Sequence, residues 1–300
     1  MTLQELRYLV ALADHSHFGR AAKACHISQP TLSTQIKKLE EQLGVTLFER
    51  TNKSVHATPA GEDVVARARQ ILADTDAILA AGQRQAAPLT GSLRLGVIPT
   101  LGPYLLPWLI PALRRDYPAL RLTVQEDVTA HLLEGLASHR LDAALLALPV
   151  SQAGMESKAL FDEPFWLATP SGDKLAKAKA VTADELRGKR LLLLTEGHCL
   201  RDQALAICGS FDTENGAQGD FRATSLETIR QMVATGLGST LLPAMALGEP
   251  RPAKIALRPL ADGIGRRIGL VWRRSYPGLR DLELLAKVIT RNLPRGVRRV

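Results

Sequence analysis

A chain of 300 residues, 46% hydrophobic and 23% charged, has apolar material for two or three domains and for sizeable cores, as in an ordinary soluble globular protein. Its first residues, Met1-Thr2-Leu3-Gln4-Glu5-Leu6-Arg7, lack the basic start and apolar run of a signal peptide. The most apolar stretch, 101–113, is broken by three prolines and is too short to cross a bilayer, so a cytoplasmic protein without membrane attachment is expected. A net charge of +8 fits a polyanionic partner, but residues 1–87 carry ten Lys/Arg against nine Asp/Glu, and the surplus lies downstream, partly at Arg291, Arg295, Arg298 and Arg299. Charge alone therefore does not establish nucleic-acid binding. The three cysteines, Cys25, Cys199 and Cys208, are too few for a structural disulfide framework in a reducing compartment.

Leu3, Leu6, Leu9, Val10 and Ala13 recur at helical spacing, the pattern breaks at His15-Ser16-His17, and it resumes through Phe18, Ala21, Ala22 and Cys25. Two short helices are predicted, with Cys25 in the core beside Ala21 and Ala22. Ser28 is placed to cap a third helix with Pro30 in its first turn, and Leu32, Ile36, Leu39 and Leu43 form one apolar stripe along it to about residue 42. The other face carries Gln29, Thr31, Ser33, Thr34, Gln35, Lys37 and Lys38, groups suited to base edges and phosphates. A helix-turn-helix accounts for this, although a plain amphipathic bundle has the same periodicity. The motifs are more specific. Phe18-Gly19-Arg20-Ala21-Ala22, Ser28-Gln29-Pro30-Thr31-Leu32-Ser33, Ile36-Lys37-Lys38-Leu39-Glu40, Leu43-Gly44 and Leu47-Phe48-Glu49-Arg50 resemble, in order and spacing, the signature of LysR-type transcriptional regulators. The resemblance implies an all-α winged helix-turn-helix domain over 1–58 whose DNA contacts come from Gln29, Pro30, Thr31, Ser33, Thr34 and Lys37. It also implies a wing at 49–58 turning at 51–54, with Arg50 toward a phosphate and Lys53 toward the minor groove.

Thr58-Pro59 opens a long helix, 59–87, in which Val64, Ala68, Ile71, Thr75, Ile78 and Gly82 step by four and three, with Val65, Leu72 and Leu79 widening the seam. Such a seam predicts pairing between two copies of the chain, a homodimer that presents two recognition helices to a pseudo-palindromic operator in double-stranded DNA. Assembly to a homotetramer is a further expectation. Residues 88–91, Pro-Leu-Thr-Gly, read as a hinge.

Beyond the hinge, apolar runs at 93–98, 122–125 and 143–148 alternate with helical patterns at 101–116 and 129–139, which predicts parallel strands in an α/β domain. The pattern recurs at 165–169, 191–194, 221–223, a helix over 225–235, and 240–242, and the chain returns through 268–272 and a helix over 279–292. Two α/β subdomains, I over 92–162 and 268–300 and II over 163–267, resemble the periplasmic-binding-protein-like effector domain of the same family. Ligands in such open sheets bind beyond the carboxyl ends of the strands.

Gly197-His198-Cys199-Leu200-Arg201-Asp202-Gln203 follows an apolar strand pattern and precedes good helix formers, so Cys199 is expected in the first turn of a helix. There the free backbone N–H groups, His198 and Arg201 would lower its thiol pKa and make it a peroxide nucleophile. The plainer alternative is that Cys199 and Cys208 are small buried apolar residues. A zinc site is disfavoured, because adjacent His-Cys with one distant Cys does not supply four ligands. This segment, with a second cysteine nine positions on, resembles the redox segment of the hydrogen-peroxide sensors among LysR-type regulators. That resemblance implies Cys199 as the peroxidatic thiolate and Cys208 as the resolving thiol. It implies peroxide-positioning roles for Thr100, then Thr129, and for His198, although by residue pattern alone each threonine reads first as a plain helix cap. Thiolate stabilisation falls to Arg201 and to Arg266, with Arg267 beside it as a competing assignment.

The function expected is a peroxide-sensing regulator of oxidative-stress genes, switched by a reversible Cys199–Cys208 disulfide, not an enzyme and using no cofactor or metal. Its partners would be operator DNA, further copies of itself, RNA polymerase and a thiol reductant. Two other readings stand beside it. One is a LysR-type regulator that binds a small metabolite between the subdomains, and the other is a DNA-binding thiol peroxidase.

Overall fold

Helices of the N-terminal unit begin where side chains can cap them. The computed structural model describes residues 1–50, 55–83, 88–187, 189, 191–208, 222–248 and 254–300. Two compact units form it, one built on Met1–Ala87 and one built from Pro88 onward. In the first, Thr2 and Glu5 cap each other reciprocally to open α1 (Leu3–His15), and His17 Nδ1 accepts from the Gly19 and Arg20 amides to open α2 (Phe18–Ala24). Ser28 accepts from the Thr31 amide at 3.3 Å to open α3 (Gln29–Leu43), which Gly44 ends in the left-handed region.

Leu6, Leu9, Leu12, Ala21, Leu32, Ile36 and Leu39 make the core of this unit. The expected stripe stops at Leu39. Leu43 is exposed, because Glu40 Oε1 accepts from the Leu47 amide at 2.8 Å and the Phe48 amide at 3.2 Å and so turns the chain back one turn before it. Cys25 is likewise only half-buried, since α2 ends at Ala24 and leaves the cysteine at the cap. An antiparallel pair, β1 (Phe48–Arg50) and β2 (Val55–Ala57), forms the wing; its turn, 51–54 with Lys53, lies outside the described residues, as does the Arg50 side chain.

Thr58 Oγ1 accepts from the Gly61 amide to start α4 (Pro59–Gln83). Its apolar positions divide. Val65 and Ala68 are buried against the helix-turn-helix, whereas Ile71 (41% exposed) and Ile78 (73%) remain open.

The second unit carries β3 (Gly91–Val97), α5 (Gly102–Asp116), β4 (Leu120–Glu126), α6 (Thr129–Ala137) and β5 (Ala143–Leu148), then the sixteen-residue β6 (Met155–Pro170). It continues through α7 (Ala183–Leu186), β7 (Leu193–Leu194), α8 (Cys199–Cys208), β8 (Arg222–Ala223), α9 (Leu226–Ala234) and β9 (Thr240–Pro243). The chain ends with β10 (Ile255–Pro259), β11 (Gly265–Arg273), α10 (Leu279–Arg291) and β12 (Arg298–Arg299).

The sheet is mixed rather than parallel. Strands joined through helices, β3 with β4 and β5, run parallel, as do β7 and β8, while β11 lies antiparallel to β5 and β6, and β9, β10 and β12 lie antiparallel to β6. β6 is the spine of this arrangement. Its first half pairs with β11 and contributes Leu160 and Phe161 to one hydrophobic core, and its second half pairs with β9 and β10 and contributes Phe165 and Leu167 to another. Sequence patterning found only 165–169 of this strand, because its first half shows neither a continuous apolar run nor a clean alternation of polar and apolar residues.

Candidate redox site and DNA-facing helix

Gly197 adopts φ +90°, a turn that a side chain opposes, and the chain then enters α8 with Cys199 as its first residue. Cys199 and Cys208 are thus the two ends of one ten-residue helix. They belong to different cores. Cys199 packs against the core of β3, β5, α5 and α6, while Cys208, 3% exposed, is part of the core of β7, α8, α9 and β9.

Around Cys199 the polar groups come from β6, β11, α6 and the segments at Thr100 and Met245. Arg266 on β11 is buried and ion-paired to Glu163 on β6, both side chains fully out of solvent, with Nε at 2.8 Å from Oε2. The guanidinium reaches further, donating to Thr100 Oγ1 at 2.6 Å and to the Thr100 carbonyl at 2.9 Å, and the other Glu163 oxygen accepts from the Met245 amide at 2.9 Å. Every charge in this cluster is paired or hydrogen-bonded, as burial requires. Thr129, the first residue of α6, places a buried hydroxyl with no well-formed hydrogen bond beside the Cys199 sulfur.

Burial pushes the Cys199 thiol above its ordinary pKa; the Arg266 charge, the Thr129 hydroxyl and the Leu200 amide each pull it back toward the thiolate. This corrects the expectation of a lowered pKa: desolvation outweighs the helix terminus and the cation. Burial alone acts on Cys208 and raises it to about 11. It also lowers the pKa of His198, 8% exposed, which disfavours the cation expected there. The Arg201 guanidinium donates to the Leu194 carbonyl at 3.3 Å; of the two adjacent arginines, Arg266 is the buried one whose charge acts on Cys199, while Arg267 is half-exposed and bridges Asp162.

The structure therefore gathers Cys199, Thr100, Thr129 and Arg266, with Thr100 tied to the cluster through Arg266. Glu163 and the Met245 amide were not singled out from the sequence. The signal lay in Asp162-Glu163 facing Arg266-Arg267, but only strand register pairs Arg266 with Glu163 and Arg267 with Asp162. Among the described residues no three His, Cys, Asp or Glu side chains are grouped to hold a metal ion.

On α3, Gln29, Pro30, Thr31, Thr34 and Lys37 are exposed and Ser33 is half-buried. Thr34 Oγ1 donates to the Pro30 carbonyl, Thr31 shares a 2.7 Å hydrogen bond with Ser28, and Lys37 stands 3.8 Å from Glu41.

The model of the bacterial regulatory helix-turn-helix protein, lysR family, matches residues 3–62, and that of the LysR substrate binding domain matches 86–294. The chain belongs to the LysR family. Within it, this LysR-family protein is 45% identical over 293 residues to the DNA-binding transcriptional dual regulator OxyR of Escherichia coli K12, covering 96% of this chain and 95% of that one. A full-length OxyR of Pseudomonas aeruginosa with a cysteine-to-aspartate substitution superimposes with a TM-score of 0.82 at 42% identity, covering 98% of both chains. The hydrogen-peroxide-bound cysteine-to-serine mutant of Corynebacterium glutamicum OxyR gives a TM-score of 0.67 at 37% identity, covering 97% of this chain and 92% of that one.

Proposed function

We propose that this LysR-family regulator binds operator DNA through α3 and the wing and responds to hydrogen peroxide through Cys199. The observation that carries the reading is a cysteine at the start of α8, flanked by a buried arginine and an unpaired hydroxyl, with a second cysteine nine residues away in another core. Similarity to proteins named hydrogen peroxide-inducible genes activator supports it. In the reaction the Cys199 thiolate attacks one peroxide oxygen, the O–O bond breaks, and the departing hydroxide takes a proton to leave as water. Cys199 is oxidised to the sulfenic acid. Arg266 favours the thiolate, while Thr129, Thr100 and neutral His198 supply donors for the peroxide and the leaving oxygen. The Cys208 sulfur then attacks the sulfenic sulfur, a second water leaves, and the disulfide closes; two electrons from a thiol reductant reverse it.

Helix geometry makes this a conformational switch. Nine steps of about 1.5 Å separate the two Cα atoms by roughly 13 Å, whereas a disulfide holds them within about 7 Å. α8 must unwind, and Cys208 must leave its core together with the buried neighbours Leu200 and Ala204. Domain limits of 1–58, 59–87, 88–91 and 92–300 fit this division of labour. The open residues Ile71 and Ile78 support pairing of α4 with a second copy, and two such dimers would form the tetramer. RNA polymerase as a contact at the promoter and a cytoplasmic location follow from the regulatory role; among the described residues no helix is long and apolar enough to cross a membrane.

Mass spectrometry after one equivalent of peroxide tests the reading. The expected product is a Cys199–Cys208 bond with one peroxide consumed per chain. Continued turnover without change in operator binding would replace the regulator with a peroxidase, and unmodified cysteines would remove the sensing role.

A further inference from the structure

Glu40 holds the turn that leads from α3 into the wing. Its backbone carbonyl accepts from the Gly44 and Val45 amides at 2.8 and 3.3 Å, and its carboxylate accepts from the Leu47 and Phe48 amides at 2.8 and 3.2 Å. Hydrogen bonds to an ionised acceptor are the stronger kind, so the chain leaves α3 in a fixed direction.

Leu47 is gripped from the other side as well. Its side chain is fully buried, and its carbonyl oxygen accepts from the Thr58 amide at 3.0 Å. The Thr58 hydroxyl donates to the Thr46 carbonyl at 2.8 Å while accepting from the Gly61 amide at 3.0 Å, and so ties this turn to the start of α4. Gly61 completes the join by lacking a side chain: a Cβ there would stand 2.0 Å from the Leu47 carbonyl oxygen, a backbone atom that cannot swing aside. Glycine in a helix is otherwise a cost relative to alanine, so its use in the first turn of α4 marks this close approach. Further along α4, Val65 and Ala68 are buried in the helix-turn-helix core, and Arg69 pairs with Asp14 of α1. As far as Arg69, α4 is therefore one body with the helix-turn-helix.

We propose that Glu40, Thr58 and Gly61 form a clasp on Leu47 that fixes the angle between the recognition helix and α4, and that this angle sets which half-site spacing the dimer accepts. The three are positioning residues, whose effect on DNA passes through α3 and the wing. The inference rests on the reading of α3 as the DNA-facing helix and of α4 as the pairing helix. In a paired molecule the separation and relative rotation of the two recognition helices are set by two copies of this joint. Each base pair inserted between half-sites turns one of them about 35° around the duplex relative to the other, so a stiff joint rejects the altered operator and a loose one tolerates it.

Fluorescence anisotropy tests this with the reduced full-length protein, the duplex it selects from a random-sequence pool, and the same duplex with two base pairs inserted between the half-sites. The unaltered protein is expected to bind the lengthened duplex at least tenfold more weakly than the selected one. Glu40→Ala and Gly61→Ala should each weaken binding to the selected duplex about tenfold and cut the discrimination between the two duplexes to about threefold or less, although alanine is the better helix former at position 61. Glu40→Gln keeps the accepting oxygen and should stay within about threefold of the unaltered protein on both duplexes. The double variant Glu40→Ala with Gly61→Ala should lose no more than either alone, because both open the same joint, whereas Lys37→Ala should weaken both duplexes equally and multiply with either. Amide protection across α1, read by hydrogen exchange, should match the unaltered protein in every variant. Its loss in Glu40→Ala or Gly61→Ala would mean that these residues hold the fold and not the angle, and would overturn the proposal. So would undiminished discrimination in either variant, or no discrimination by the unaltered protein. An unaffected Lys37→Ala would instead remove the DNA-facing reading of α3, and the clasp with it.

Discussion

The two ends of α8 carry the same side chain and differ in almost everything else. At Cys199, burial works against an arginine, a hydroxyl and a backbone amide, all of which favour the anion; at Cys208, burial works unopposed. The difference teaches that the two thiols are set apart by the groups gathered at the first turn of the helix, from β11, from α6 and from α8 itself, and not by the cysteine side chain. It also suits the proposed order of events, in which the sulfur with polar neighbours reacts first and the sulfur without them follows once the helix opens.

The comparison breaks most plainly at the nucleophile itself. Cys199→Ser is expected to abolish rapid peroxide consumption followed by stopped flow, and Cys208→Ser to leave that first step intact, with a sulfenic acid that a dimedone probe captures. Equal labelling of Cys208 in the Cys199→Ser protein would erase the asymmetry.

Next in size is the arginine. Arg266→Ala leaves Glu163 buried without its cation and should cost about 3–5 kcal/mol in urea unfolding, while moving the alkylation profile of Cys199 to higher pH. Arg267→Ala, at a half-exposed pair, should cost under about 1 kcal/mol and leave that profile in place. Similar losses from the two would mean that the buried pair has no special hold on the site.

Both thiols are raised in the folded protein, so the stability that depends on keeping them protonated is complete below the ordinary thiol pKa and is lost as pH climbs. Stability should therefore fall between about pH 9 and the value near 11 reached by Cys208. Cys208→Ala should flatten part of that decline, which urea midpoints across the range will read.

The smallest expected effect sharpens the picture furthest. Thr129 spends no well-formed hydrogen bond in the reduced protein, so Thr129→Val should change stability by less than about 1 kcal/mol. It should still raise the Cys199 pKa seen by iodoacetamide, since the hydroxyl favours the thiolate. An unchanged alkylation profile would place Thr129 outside the site.

How much of this was readable from the chain depends on the range of the forces involved. Ser28, Pro30 and the Leu32-Ile36-Leu39 stripe announce α3 because caps and periodicity act within a few residues. Cys199 was placed at a helix start for the same reason. Its pKa direction was not readable, because the burial that decides it comes from a core assembled by β3, β5, α5 and α6. Glu163 was invisible for a related reason: its meaning depends on the register of β6 against β11, some hundred residues apart in the chain. The run 155–164 escaped because a strand that is half exposed and half buried shows neither clean alternation nor a continuous apolar stretch.

The separate anchoring of the two sulfurs bears on time. In the proposed switch, closing the bond takes Cys208 out of its packed surroundings, so the oxidised form would hold a debt of uncovered apolar surface that reduction repays. Bonds under such tension are more oxidising than relaxed structural disulfides and yield sooner to cellular thiols. The record of an oxidant written into α8 is thus perishable by construction: its lifetime is tuned by how well Cys208 packs, and each added methylene that tightens that packing shortens the protein's memory of the exposure.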